Sequence, residues 1–176
     1  MKNGILIEDG VKYFYINDQL HRTKGPAIID NKGTKAWYQN NKMHRLDGPA
    51  IEFPNGDKEW LQNGLLHRES GPAIERVNGD THWFFNGKRH RIDGPAVEYV
   101  NGNKSWYQHG QRHREDGPAR IRTDGNEYYF NDQLHRIDGP AIEWTDNEIY
   151  WYYKGQYMDC SSQKEFEQLL KMKLFW

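Results

Sequence analysis

The sequence predicts an all-β fold: an elongated single-layer antiparallel meander of about six to seven hairpin repeats, followed by a C-terminal helix. Three observations predict it. The motif His-Arg-x-x-Gly-Pro-Ala starts at His21, His44, His67, His90, His113 and His135, in steps of 23 residues with one final step of 22. An aromatic stands seven residues before each His: Phe14, Trp37, Trp60, Trp83, Trp106 and Tyr128. Each period also holds two turn signals, and Gly and Pro at that spacing exclude helical repeats. A fixed period of this length marks a repeat architecture.

The elements follow in order. The first stretch, "GILIEDGVKYFYI", is rich in Ile, Val and aromatics and reads as an edge hairpin. Within each period, "Phe53-Pro54-Asn55-Gly56-Asp57" reads as a type I turn with a glycine bulge, because Pro suits the first turn position and Gly the left-handed one. Asn63-Gly64 and Asn86-Gly87 read as two-residue hairpin turns, where positive φ favours Asn-Gly. Strands of about six residues lie between, two per period. The row of aromatics continues to Trp151, but Met158-Asp159 stands where the next His-Arg would fall. The repeat array is therefore assigned to residues 1–159. Residues 160–176 form the tail, where Ser162-Gln163-Lys164-Glu165 is a capping box and Phe166, Leu169, Leu170 and Leu174 share a helical face. This helix is expected to cover the last hairpin, since open sheet arrays need their ends blunted.

Turn geometry sets the register. The bulged turn pairs Phe53 with Asp57, Glu52 with Lys58 and Ala50 with Trp60, which places a small residue opposite a large one and an acid opposite a base. One face then carries Ala50, Glu52, Lys58 and Trp60, and in a later repeat Ala96, Glu98, Lys104 and Trp106. The other carries Ile51, Phe53 and Leu61, or Val97, Tyr99 and Tyr107. Across Asn63-Gly64, Trp60 falls opposite His67. The reading for the repeated motif is structural: His packs on Trp, Asp closes the turn before Gly-Pro, and Arg pairs with a neighbouring carboxylate.

Composition narrows the function classes. Mean hydropathy is −1.07, yet seven Trp, eleven Tyr and seven Phe and a net charge of −1 oppose disorder, which goes with high net charge and few aromatics. Balanced charge gives no general pull toward nucleic acid or acidic lipid. The lone Cys160 suits a reducing compartment, and no run reaches transmembrane length, so a cytoplasmic protein without a membrane span is expected.

"Trp106-Tyr107-Gln108-His109-Gly110-Gln111-Arg112-His113", preceded by Asn101-Gly102 and followed by Gly117, resembles the MORN repeat and its bacterial and viral variants. That resemblance implies β-hairpin units in a single-layer sheet. It also implies a protein that acts by occluding another: a phage-type inhibitor of a host enzyme, or an antitoxin- or immunity-like partner. His-Arg-x-Asp-Gly-Pro-Ala departs from the Gly-x-Gly usual in that repeat.

Three chemical readings of the His-Arg rows are weaker. Consecutive His stand two strands apart, roughly 9–10 Å, whereas ligands of one zinc lie within roughly 4 Å of each other; no metal or other cofactor is expected. His-x-x-Asp recurs at His44/Asp47, His90/Asp93, His113/Asp116 and His135/Asp138, but an active site seldom appears four times, and Lys24 and Ser70 replace the Asp elsewhere. No enzyme is expected. The Arg row as a phosphate track, on nucleic acid or on anionic lipid, is nearly cancelled by neighbouring acids; a lipid-associated scaffold and a nucleic-acid binder or mimic stand as alternatives to a protein partner. Binding is instead expected where repeats diverge. The residue three beyond the repeated Ala runs Asp30, Phe53, Arg76, Tyr99, Arg122, Trp144, beside Arg120 in an otherwise aliphatic row and His82 with Phe84. Tyr, Trp and Arg anchor interfaces. The second candidate is the face of Trp37, Trp60, Trp83, Trp106 and Trp151, and the N-terminal edge hairpin is expected to serve self-association or docking.

Overall fold

The computed structural model describes residues 1–174, with side chains through Met172. The expected continuation of the tail helix to Trp176, and the side chain of Leu174, lie outside the described residues. The fold is all-β with one C-terminal helix. Its contacts define two compact units, Met1–His90 and Arg91 onward. In the first, β1 (Gly4–Glu8) and β2 (Val11–Ile16) lead into Ile28–Ile29, Lys35–Ala36, Ile51–Glu52, Lys58–Glu59, Ile74–Glu75 and Thr81–His82, each antiparallel to the one before. In the second, Val97–Glu98, Lys104–Ser105, Arg120–Arg122, Gly125–Glu127, Ile142–Trp144, Ile149–Tyr153 and Gln156–Met158 continue in the same way.

Most strands are two residues long, shorter than the sequence predicts, and the reason is a loop extruded from every second strand. His44 and Ala50 both pair with Trp37: His44 donates its amide to the Trp37 carbonyl at 3.0 Å, and Trp37 donates to the Ala50 carbonyl at 2.8 Å. The segment Arg45–Pro49 is thus pinched out of the ladder while its two ends stay in register. The same double pairing joins His21 and Ala27 to Phe14, His67 and Ala73 to Trp60, and His113 and Ala119 to Trp106. The His-Arg-x-x-Gly-Pro motif is therefore a regular bulge of five residues, and the aromatic marks its neck. Pro fits there because its missing N–H is not needed in a loop outside the ladder. The alanines at the necks, Ala27, Ala50, Ala73, Ala96, Ala119 and Ala141, are fully buried.

Both turn types form as the residues predict. Asn63 and Gly64 have φ of 53° and 84°, the pair of left-handed residues that a two-residue hairpin turn requires. Gly56 has φ of 96° and donates its amide to the Phe53 carbonyl at 3.0 Å. Glu52 faces Lys58 as the register predicts. Stacked two-stranded hairpins run beside the main ladder: Tyr38–Gln39 with Lys42–Met43, and Leu61–Gln62 with Leu65–Leu66. They are joined by Gly64 N–H to the Met43 carbonyl (2.8 Å) and Arg45 N–H to the Leu61 carbonyl (3.1 Å).

The helix α1 (Gln163–Leu174) covers the last hairpin. Fully buried Phe166 packs with Trp151 and Met158, with Leu169 and Leu170 alongside. Ser162 caps the Glu165 amide at 3.3 Å, but Glu165 returns its carboxylate to Ser161, one residue before the expected partner. Among the described residues, no helix is long and apolar enough to cross a membrane.

Candidate protein-binding surface

The repeated motif is a clasp built on arginine. In the loops after five of the necks the Arg folds back over its own aromatic: Cζ lies 3.8 Å from the ring centroid for Arg22 on Phe14, 4.2 Å for Arg45 on Trp37, 3.8 Å for Arg68 on Trp60, 4.1 Å for Arg114 on Trp106 and 4.0 Å for Arg136 on Tyr128. Its N–H groups are then distributed. Arg45 donates from Nε to Asp47 (3.0 Å), and from Nη1 to the Pro49 carbonyl (3.2 Å) and to Glu52 (3.1 Å). Arg136 repeats the set with Asp138, Pro140 and Glu143. The planar fork of guanidinium suits this use, a stacking face plus several donors in one plane. These pairs hold Asp47, Asp93, Asp116 and Asp138 below the usual carboxylate range, with the hydrogen bond from the neighbouring Arg as the main cause.

The expectation that His packs on Trp is corrected here. Arginine occupies the Trp face, and His turns to the following repeat. His67 stacks on Phe85 (4.6 Å between ring centres), His113 on Phe130 (4.5 Å) and His135 on Tyr153 (5.1 Å). Its Nδ1 accepts the amide of that repeat's first turn residue: Asn40 at His21 (3.3 Å), Asn63 at His44 (3.1 Å), Asn86 at His67 (3.2 Å) and Lys154 at His135 (3.2 Å). The same Nδ1 also lies 2.9, 3.2 and 2.8 Å from the side-chain Oδ1 of that Asn at His21, His44 and His67. At His44 the Asp of the His-x-x-Asp pair is bonded to the adjacent Arg45, so it does not orient the imidazole. Trp83 accepts from His90 at 3.2 Å, like the other necks, and Trp151 belongs to the helix-capped cluster. Among the described residues no three His, Cys, Asp or Glu side chains gather as a metal site would need.

Within each unit the divergent residues lie on the Ile-bearing face of its strands, away from the neck aromatics. In the first unit, Ile51 pairs with Glu59 and Ile74 with His82. Arg76 is held between Asp57 (3.3 Å) and Glu59 (2.8 Å), with Cζ 6.0 Å from the Phe53 ring. Burial, then the charges of Arg89 and Arg76, push the His82 imidazole down. Phe84 carries Arg89 at 5.6 Å. In the second unit Tyr99 is 42% exposed. Arg120 sits opposite Glu127 and pairs with it at 3.1 Å, and Arg122 pairs with Asp124 and stacks on Trp144 at 5.6 Å.

Sequence reasoning missed the acids that fix these arginines. Glu127 is 5% exposed and also accepts from Tyr129 Oη at 2.7 Å. Burial and that carboxylate push the Tyr129 hydroxyl up to about 12. Arg112 lies near both Tyr107 (5.7 Å) and Tyr129 (5.3 Å). The signal was present: Arg120 interrupts the aliphatic row, and its cross-strand partner is the acid Glu127.

A second feature was not anticipated. Clefts of 460, 640 and 580 Å³ lie between successive extruded loops, floored by Trp60, Trp106 and Tyr128 respectively. Their rims combine acids, such as Asp47 with Glu69 and Asp93 with Asp116, with apolar side chains that stand out into solvent: Leu46, Ile92 and Ile137. No family model matches the chain, and a search of curated proteins returns no match.

Proposed function

We propose that the chain is a MORN-like, non-enzymatic repeat module that works in the cytoplasm by binding a protein and occluding it. One observation carries the reading: shared and divergent positions have different uses. The shared Arg, Gly, Pro, Ala and aromatic residues are consumed in making the loop and its neck. The divergent ones put aromatic rings and arginines on the other face, among them Phe53 with Arg76 and Trp144 with Arg122. Aromatic and Arg side chains are the usual anchors of protein interfaces. Their arginines are already held by Asp57, Glu59, Asp124 and Glu127, so little side-chain freedom is lost when a partner arrives. The pairing of Arg76, Arg120 and Arg122 with acids disfavours a polyanion, which needs uncompensated charge along its path.

The test is capture from a bacterial lysate by three forms of the protein: wild type, Phe53→Ala/Tyr99→Ala, and Lys58→Ala/Lys104→Ala on the opposite face. A protein retained by the first and third and lost by the second supports the reading. Sub-micromolar binding to DNA, RNA or anionic vesicles at physiological salt, without such a protein, overturns it.

A further inference from the structure

The strand β1 stands at the end of the strand order and leaves one side of its main chain open among the described residues. Phe14 donates its amide to Ala27 (2.8 Å) and accepts from His21 (3.0 Å), so its main chain faces away from β1. Lys2 exchanges bonds with Asp18: its amide donates to the Asp18 carboxylate, and its carbonyl accepts the Asp18 amide. Alternation along an antiparallel ladder then turns the N–H and C=O groups of Gly4, Leu6 and Glu8 toward β2, and those of Ile5 and Ile7 outward. Among the described residues β1 pairs with β2 alone. Ile5 and Ile7 are 63% and 64% exposed. The strand has no Pro, no bulge and no internal Lys, the devices that usually blunt an edge.

We propose that two copies associate through β1, antiparallel, with a two-fold axis at Leu6. In that register Ile5 of one copy faces Ile7 of the other, twice, and their outward amides and carbonyls form four hydrogen bonds. Leu6 meets Leu6 at a non-hydrogen-bonded position, where side chains lie closest. On the Ile face each Ile5–Ile7 pair stands between Phe14 of one copy and Lys12 of the other, so each Ile gains an apolar neighbour on its open side.

Charge selects a second copy over a foreign strand. On the Leu6 face the Lys2 ammonium stands over the Tyr15 ring at 5.2 Å, beside Gly4. In the two-fold register Glu8 of the other copy arrives opposite Gly4, diagonal to Lys2. Glycine leaves that carboxylate room, and Glu8 makes no ion pair among the described residues. The acid and base thus meet twice. A parallel register would set Lys2 against Lys2 and Glu8 against Glu8, which is destabilising.

The test uses the whole chain and its charge swaps, with mass read by light scattering and sedimentation. Wild type is expected to be a dimer at high micromolar concentration. Glu8→Lys alone and Lys2→Glu alone each place like charges at both contacts and should weaken the dimer by about 10-fold or more. An equimolar mixture of the two variants should restore it, because a Glu8→Lys chain opposite a Lys2→Glu chain has two attractive contacts again. That recovery separates pairing from misfolding. A wild-type monomer, single variants that dimerise like wild type, or a mixture that stays monomeric would each overturn the proposal.

Discussion

The guanidinium of Arg45 lies between the ring of Trp37 and the backbone of Gly48: Cζ is 4.2 Å from the ring centroid and would stand 2.8 Å from a β-carbon on Gly48. The glycine is thus fixed by contact and not by a left-handed φ. Gly48→Ala must push the guanidinium off the ring, an overpacking that costs about 1–3 kcal/mol, or roughly 2–4 °C in melting temperature per kcal/mol for a chain of this size. In an Arg45→Ala background the same change should cost much less. Thermal melts of the four proteins in that cycle check it; equal costs in both backgrounds would remove the clasp.

The clasp also predicts unequal arginines. Arg22 keeps its ring and the Pro26 carbonyl, but Lys24 and Ile29 stand where Arg45 finds Asp47 and Glu52. Lysine cannot supply a planar fork, so Arg45→Lys should destabilise by about 1–2 kcal/mol. Arg22→Lys, with fewer bonds to lose, should cost measurably less in the same urea titration.

Much of this fold was readable because repetition multiplied weak signals. One Asn-Gly or one Pro-Asn-Gly is an ordinary turn; their recurrence at fixed distance from an aromatic set the register, including Glu52 opposite Lys58. The His-Arg motif was harder to read. Backbone pairing put His opposite Trp, as expected, but which side chain then covers the ring depends on the loop's path out of the strand, and pattern does not encode that path. The acids around Arg76 and Arg120 were obscured for a related reason. Asp57 and Glu59 look like solvated turn and strand residues until Arg76, some twenty positions later, is laid across them.

Arg120 tests the boundary between structure and binding. Glu127 is nearly buried and depends on Arg120 at 3.1 Å and on Tyr129. Arg120→Ala leaves a buried carboxylate short of its main counter-charge and should cost about 3–5 kcal/mol. Arg120→Ala/Glu127→Ala should recover a large part of that. Ultraviolet titration offers a second reading: a tyrosine ionising near 12 in the wild type should move toward the ordinary value when Glu127 is removed.

Acid should weaken the fold first through histidine. Burial and then the Lys154 charge push the His135 imidazole down, while its Nδ1 accepts the Lys154 amide at 3.2 Å. A histidine favoured neutral in the folded state contributes fully above its unfolded value of about 6.5 and loses that contribution as pH falls through the lower folded one. Melting temperature should therefore drop between about pH 7 and pH 5, and His135→Gln should flatten that slope. The Arg-paired aspartates act in the same direction but below about pH 4, so the two windows separate. A slope unchanged in His135→Gln would show that other groups carry it.

The central claim, that shared positions build the sheet while divergent positions bind, is tested most directly by measuring affinity and melting temperature together on two variants. Calorimetric titration of the captured partner would be paired with thermal melts of Phe53→Ala/Tyr99→Ala and of Arg45→Lys/Arg91→Lys. The first should lose at least about 2 kcal/mol of binding, the scale of an anchor residue, with its melting temperature nearly unchanged. The second should melt earlier and bind normally wherever it is folded. Binding lost from the folded arginine variant, and kept by the Phe53/Tyr99 variant, would contradict the account and move the site to the clasp.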